Sequence, residues 1–392
     1  MLRSLFSGIS GLRSHQQMMD ITGNNIANVN TAGFKSSQAV FQDTLSQMVK
    51  PAAAPQKSNG GTNPAQIGLG VQLGSITTNF TQGSAQVTGR ITDLMINGDG
   101  FFVLRNGTEQ LYTRAGAFSF DANGTLTNPG GMIVQGWPAV AGEVDTQAAP
   151  RDVTLPISTL LQPAETTEVT IDGNLPADTT SLDPFTQSLT TYDPQGNEVT
   201  LTTSWTQNSP TSWDVTVSDG TTTSAATTVT FDLDGTTPSV TELTFGNVTI
   251  DIEGVTSYAG KATIAATNQN GSSMGSLTGF TIGEDGMVVG TFSNGNKRNL
   301  AQIALANFNN PQGMERTGNS MYRTTVNSGL PQLRAPGQNS PGILLGGSLE
   351  MSNVDLGQEF TSLIIAQRGF QANSKVIQTS DDLLNDLINL KR

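Results

Sequence analysis

Residues 356–388 read LGQEFTSLIIAQRGFQANSKVIQTSDDLLNDLI, with a seam at Leu356, Phe360, Leu363, Gln367, Phe370, Ser374, Ile377, Asp381, Leu384 and Ile388. Positions three and four apart share one face of an α-helix, so this stretch predicts a coiled-coil-like helix. The N-terminus repeats the device at Leu2, Leu5, Ile9, Leu12, Gln16, Met19, Gly23 and Ile26, although more than 300 residues separate the two seams. Both segments are apolar off the seam as well, at Phe6, Met18, Ile21 and Val29 and at Ile365, Val376, Leu383 and Leu387. Two such helices cannot cover each other's apolar surface alone. The expectation is that they meet other copies of the chain and that in an isolated chain they are largely disordered, with a two-helix coiled coil inside one chain as the alternative.

A chain of 392 residues is long enough for two or three domains with their own cores. It holds no cysteine and a single histidine, His15. Disulfides, thiolate metal sites and cysteine nucleophiles are thereby excluded, and little remains for imidazole chemistry. Composition therefore argues against an enzyme and calls for no cofactor and no metal. No apolar run reaches the ~18 residues of a membrane span, so no membrane insertion is expected. Arg13, His15 and Gln16 interrupt the N-terminal apolar stretch, which lacks the continuous core of a cleaved signal peptide; export, if it occurs, needs another route.

Charge is concentrated in the middle. Residues 143–285 carry 19 acidic side chains against Arg151 and Lys261, a net charge of −17, while the remainder is net +4. Such a segment stays solvated and repels its own copies, and it disfavours a nucleic-acid partner.

The pattern between the seams leans to strands. The first helix should run from about Ser4 to Asn28, ending where Asn28, Asn30 and Gly33 supply turn and cap chemistry. Residues 31–70, rich in Pro, Gly, Ala and Asn from position 50 onward, read as an extended linker. From Val71 onward, short apolar runs alternate with turns, as in Leu94-Met95-Ile96, Asn97-Gly98-Asp99-Gly100, Phe101-Phe102-Val103-Leu104 and Asn106-Gly107. The acidic stretch continues with period-two strands carrying Thr and Ser on the wet face, around Trp205, Trp213 and Ile250. The fold expected is mostly β and multidomain, with helical coiled-coil-like termini (1–30 and 353–392). An inner β domain (71–142 and 286–352) carries an inserted acidic outer β domain (143–285).

Motifs of catalysis fail on context. Gly271-Ser272-Ser273-Met274-Gly275 matches a nucleophile elbow, but the sequence after it reads as strand where the elbow needs a helix. Gly68 to Gly74 resembles a dinucleotide fingerprint and precedes no helix. Asp121, Asn123 and Thr125 lack the glycine and glutamate of a calcium loop and read as a turn. His15 has no second metal ligand nearby and reads as a helix residue at a subunit contact or facing solvent.

Asn25-Ile26-Ala27-Asn28-Val29-Asn30-Thr31-Ala32-Gly33-Phe34-Lys35 closely resembles the N-terminal signature of the bacterial flagellar rod and hook family of axial proteins. Ser352-Asn353-Val354-Asp355, Gln367-Arg368-Gly369-Phe370-Gln371-Ala372-Asn373 and Lys375-Val376-Ile377 resemble its C-terminal signature. Phe80-Thr81-Gln82-Gly83 and Asn97 to Phe102 are similar to its inner-domain motifs. The large acidic insert resembles the hook branch more than the rod branch, whose middle is much smaller. A secreted adhesin explains the Thr-rich strands but not the termini. The resemblance implies export through the flagellum's own type III apparatus and polymerisation outside the cell into a curved tube that transmits torque. Its implied partners are further copies, the rod, the hook cap and the hook-filament junction proteins. The self-assembly residues expected are Leu5, Ile9, Leu12, Met19, Ile26, Asn28, Gly33 and Phe34, with Leu356, Phe360, Leu363, Gln367, Phe370, Asn373, Ile377, Leu384 and Ile388.

Overall fold

The computed structural model describes residues 2–54, 60–140, 142–155, 160–177, 184–232, 234–337 and 342–389. It is mostly β, with one long helix at each end: α1 (Leu2–Ala27) and α2 (Leu356–Asn389). The chain groups into two compact units, one of residues 1–155, 281–289 and 299–392, the other of residues 156–280 and 290–298. The second is thus inserted in the first along the chain.

In the first unit, the hairpin of Phe101–Asn106 and Glu109–Thr113 is the centre of an antiparallel sheet. Ile133–Val140 and Leu305–Asn307 pair with its first strand, and Met321–Arg323 with its second. One side buries Phe101, Val103, Tyr112, Trp137, Phe308 and Tyr322, with Phe80 packed against them. The rings meet edge-on, Tyr112 with Phe308 at 4.9 Å and Phe80 with Phe101 at 5.6 Å, the arrangement that ring quadrupoles favour. Asp121 forms the expected turn, its carboxylate accepting the amides of Asn123 and Thr125.

Residues 31–70 differ from the expected linker. Ser37–Asp43 pairs with Val71–Thr78, and Ser46–Lys50 with Ala65–Gly68, giving a two-part ribbon. Alternation at Val40, Met48 and Ile67 is present in the sequence, but no short turn joins the arms and Pro and Gly dilute the signal. The unit boundary also falls after 155, later than the charge pattern suggested. Glu143–Val144 and Arg151–Asp152 pair onto Ile133–Val140, and Asp152 is held by Arg105.

Among its described residues the second unit has two sheets of its own. One is the antiparallel series Phe185–Tyr192, Glu198–Ser209, Ser212–Ser218 and Thr227–Thr230. The other centres on Glu168–Asn174, flanked by Val248–Asp251 in parallel and Ala265–Gln269 in antiparallel orientation. A single core of Trp205, Trp213, Val215, Ile171, Ile250 and neighbours joins them. Strand Ser212–Ser218 alternates buried and half-buried residues, matching the period-two reading. The strand Leu277–Ile282 follows Gly271–Gly275, so the serine pattern there has no elbow geometry.

Candidate assembly site

Helices α1 and α2 pack together antiparallel, the arrangement held as the alternative to helices ordered only by other copies. Gly8 lies against Ile377, Gly11 against Asn373, and Gly369 against the His15 ring, while Asn25 Nδ2 donates to Glu359 Oε1 at 2.8 Å. The α1 positions that meet α2, Gly8, Gly11, His15 and Asn25, lie on one stripe displaced by one position from the apolar seam. Small and polar residues fill this contact: Ser14, Thr22 and Asn25 are buried on α1, Ala366 and Ser380 on α2. Small side chains let two helix backbones approach closely, and hydrogen bonds such as Asn25 to Glu359 add to the contact. Asn373 Nδ2 donates to Gly369 O at 3.0 Å, which holds its amide over Gly11.

The helices are rooted in the first unit by a knot of polar hydrogen bonds around the buried Asn25. Asp355 caps α2, its carboxylate accepting the Gly357 amide at 2.8 Å and the Gln358 amide at 3.3 Å. Asn28 Nδ2 donates to Asn24 O at the end of α1. Asn25 also exchanges hydrogen bonds with the Ser37 backbone, and Asn353 accepts the Ser36 amide while donating to Asn79 O and Thr81 O. Gly33 has φ +67°, and a Cβ there would sit 2.5 Å from the Ala115 nitrogen; both facts require glycine.

Beneath this lies an ionic cluster. Lys35 Nζ is 2.6 Å from Glu350 Oε1, both side chains without exposed surface, and it also donates to Thr81 O at 2.7 Å. Arg114 Nη1 stands 3.6 Å from Glu350 Oε2 and its guanidinium 5.3 Å over the Phe101 ring. Gly83 N donates to Glu350 Oε1, and Gly33 N to Glu350 O. Arg316 donates to Lys35 O and stacks over Phe34 and Tyr322. Burial lowers Lys35 from its ordinary 10.5 while Glu350 opposes the shift; burial likewise lowers Arg114, against the fields of Glu350 and Asp99.

The residues expected for assembly divide three ways. Gly33 and Phe34 are buried in the root, and Asn28 is half-buried beside it. Leu5, Ile9, Leu12, Met19, Ile26, Leu363, Asn373, Ile377 and Leu384 are half-buried along the helix pair. Leu356, Phe360, Gln367 and Phe370 are exposed, Phe360 by 50%; the Ile388 side chain lies outside the described residues. Apolar Phe6, Ile364, Ile365, Val376 and Leu383 are exposed as well. The sequence reading missed Glu350 and Arg114, which occupy strand and loop positions with no periodic signal; an acid five residues before the Asp355 cap was the only hint.

Comparison with known proteins follows the same division. The family model Flagella basal body rod protein matches residues 5–35, and Flagellar basal body rod FlgEFG protein C-terminal matches 345–390, which together take in most of α1, all of α2, Lys35 and Glu350. Flagellar hook protein FlgE/F/G D1 domain matches 95–176, and Flagellar basal body protein FlaE D2 domain matches 163–272. Over 464 residues the chain is 40% identical to the flagellar hook protein FlgE of Treponema pallidum, covering 100% of both. The chain belongs to the flagellar hook protein family. It is 33% identical to the Salmonella typhimurium flagellar hook protein FlgE, over 99% of this chain and 100% of that one. It is 32% identical to the Bacillus subtilis flagellar basal-body rod protein FlgG over the full length of both. The crystal structure of Helicobacter pylori flagellar hook protein FlgE2 shares the fold with TM-score 0.53 at 15% identity, over 68% of this chain and 99% of that one. As a hook-family member the chain is a structural subunit of the extracellular flagellar hook.

Proposed function

We propose that this hook subunit polymerises through the outward apolar faces of its helix pair, building the inner wall of a curved tube that transmits torque from rod to filament. The carrying observation is that pairing α1 with α2 uses the small-residue stripe and leaves Phe6, Phe360, Ile364, Ile365 and Phe370 in water. So much apolar surface on adjacent helices marks an interaction face. The acidic second unit is the outer layer: it holds 14 acids against Lys261, Lys297 and Arg298, and mutual repulsion keeps neighbours able to slide. The role is structural and needs no catalysis, cofactor or metal. Its partners besides further copies are the rod, the hook cap, the hook-filament junction proteins and the type III export apparatus. Full-length similarity to a rod protein favours one second reading, a distal rod subunit. Electron microscopy of the purified chain under polymerising conditions separates them: curved tubes support the hook, straight ones the rod. Phe360→Asp should abolish fibres while the β units stay folded; unimpaired fibres from that variant would contradict the interface.

A further inference from the structure

Asn106-Gly107 lies at the turn of the hairpin Phe101–Asn106 and Glu109–Thr113, in the centre of the first unit's sheet. An asparagine followed by glycine can be attacked by its own backbone, because glycine has no Cβ to block the approach. The attack needs a side-chain carboxamide free to rotate, a following amide nitrogen free of a hydrogen bond, and room for a cyclic imide.

Five such pairs fall within the described residues, at Asn97, Asn106, Asn123, Asn270 and Asn294. Hydrogen bonds hold four of them. The Gly98 amide donates to Gln82 Oε1 at 3.2 Å, and the Gly124 amide to Asp121 O at 3.0 Å. At Asn294 both groups are engaged, Gly295 N with Phe292 O at 2.9 Å and Asn294 Nδ2 with Ser273 O at 2.8 Å. The Asn270 side chain accepts the amides of Thr167 and Glu168 and donates to Thr167 Oγ1. Asn106 differs. Among the described residues neither its carboxamide nor the Gly107 amide has a hydrogen-bond partner, and both residues are exposed. A Cβ added at Gly107 would meet nothing within 4 Å, so there is room beside the turn. Arg105 Nη1 donates to Gly107 O at 3.3 Å, and a cation beside the reacting amide favours the amide anion through which attack proceeds.

We infer that Asn106 is a site of self-modification, at which water converts the carboxamide to a carboxylate. The Gly107 nitrogen, its proton passed to water, bonds to Asn106 Cγ; the Cγ–Nδ2 bond breaks and ammonia leaves with that proton. Water then opens the imide, at Cγ to give aspartate or at the main-chain carbonyl carbon to give isoaspartate. The net change is amide plus water to acid plus ammonia, with no oxidant or reductant. The new carboxylate stands opposite Glu109 in the strand register and beside Arg105, which binds Asp152. Like charges facing each other weaken a strand pair, so the modified hairpin opens more readily at its turn.

The test holds the folded full chain in heavy-oxygen water at mildly alkaline pH and locates the incorporated label by fragmentation mass spectrometry of its peptides. Label at Asn106 should exceed that at Asn97, Asn123, Asn270 and Asn294 by about tenfold, since each of those must first break a hydrogen bond. In urea the five should converge. An unlabelled Asn106, or any of the other four labelled as fast in the folded chain, overturns the assignment, as does a preference for Asn106 that persists in urea. Gly107→Ala should lower the Asn106 label about tenfold and leave the other four unchanged, which a general loosening of the fold would not do. Undiminished label at Asn106 in that chain refutes the cyclic route.

Discussion

A lysine ammonium with no exposed surface needs a fixed anion, and Glu350 supplies it at 2.6 Å. The cluster has two close cations and one close anion, so removing the anion is the worse injury. Lys35→Met should cost about 3–5 kcal/mol because Glu350 loses its nearer partner, and Glu350→Gln should cost more, both read from urea denaturation midpoints. Gly33→Ala should cost about 1–3 kcal/mol from its positive φ, before the overlap with Ala115 is counted. Tyr112 gives a pH signature. Burial pushes its phenol from 10.0 to about 12, so between those values the folded chain holds a proton that the unfolded chain has lost. Stability therefore falls as pH rises through that window, and Tyr112→Phe should flatten this part of the slope in denaturation series.

At the scale of elements, the helix pair shows what a sequence can and cannot disclose. Both helices were legible from their three-and-four spacing, and α1 begins and ends within two residues of its expected limits. Which stripe faces the partner helix was not legible, because hydrophobicity singles out Ile9, Leu12 and Met19 while the contact uses Gly8, Gly11 and His15. Close approach favours what is small, and a scale of apolarity gives that no weight. Gly33 and Phe34 stand within the N-terminal signature, whereas Glu350 and Arg114 become recognisable only once residues far apart in sequence are brought together. Two measurements probe the element scale. Gly369→Ala should destabilise the pair by overlap with the His15 ring, and adding His15→Ser should recover most of the loss, a coupling visible in a double-mutant cycle followed by helical circular dichroism. Asp355→Ala should cost about 0.5–2 kcal/mol through loss of the α2 cap, measured by thermal unfolding.

For the whole molecule, the proposed reading gives the inserted acidic unit and the helix pair separate tasks. Replacing residues 156–280 by a short flexible linker should leave polymerisation in place and alter the stiffness or curvature of the tube, as seen by electron microscopy. Loss of all assembly would contradict a layered design. The charge asymmetry pointed to an insert in the chain but not to its boundary, because strands Glu143–Val144 and Arg151–Asp152 carry acids yet pair within the first unit.

The bond between Lys35 and Glu350 spans 315 positions of sequence. A nascent polypeptide still on the ribosome has made its lysine long before its glutamate exists, so this lock cannot close until residue 350 has been added. Any product truncated before position 350 remains slack at its root, and premature closure is excluded by the order in which the residues are made.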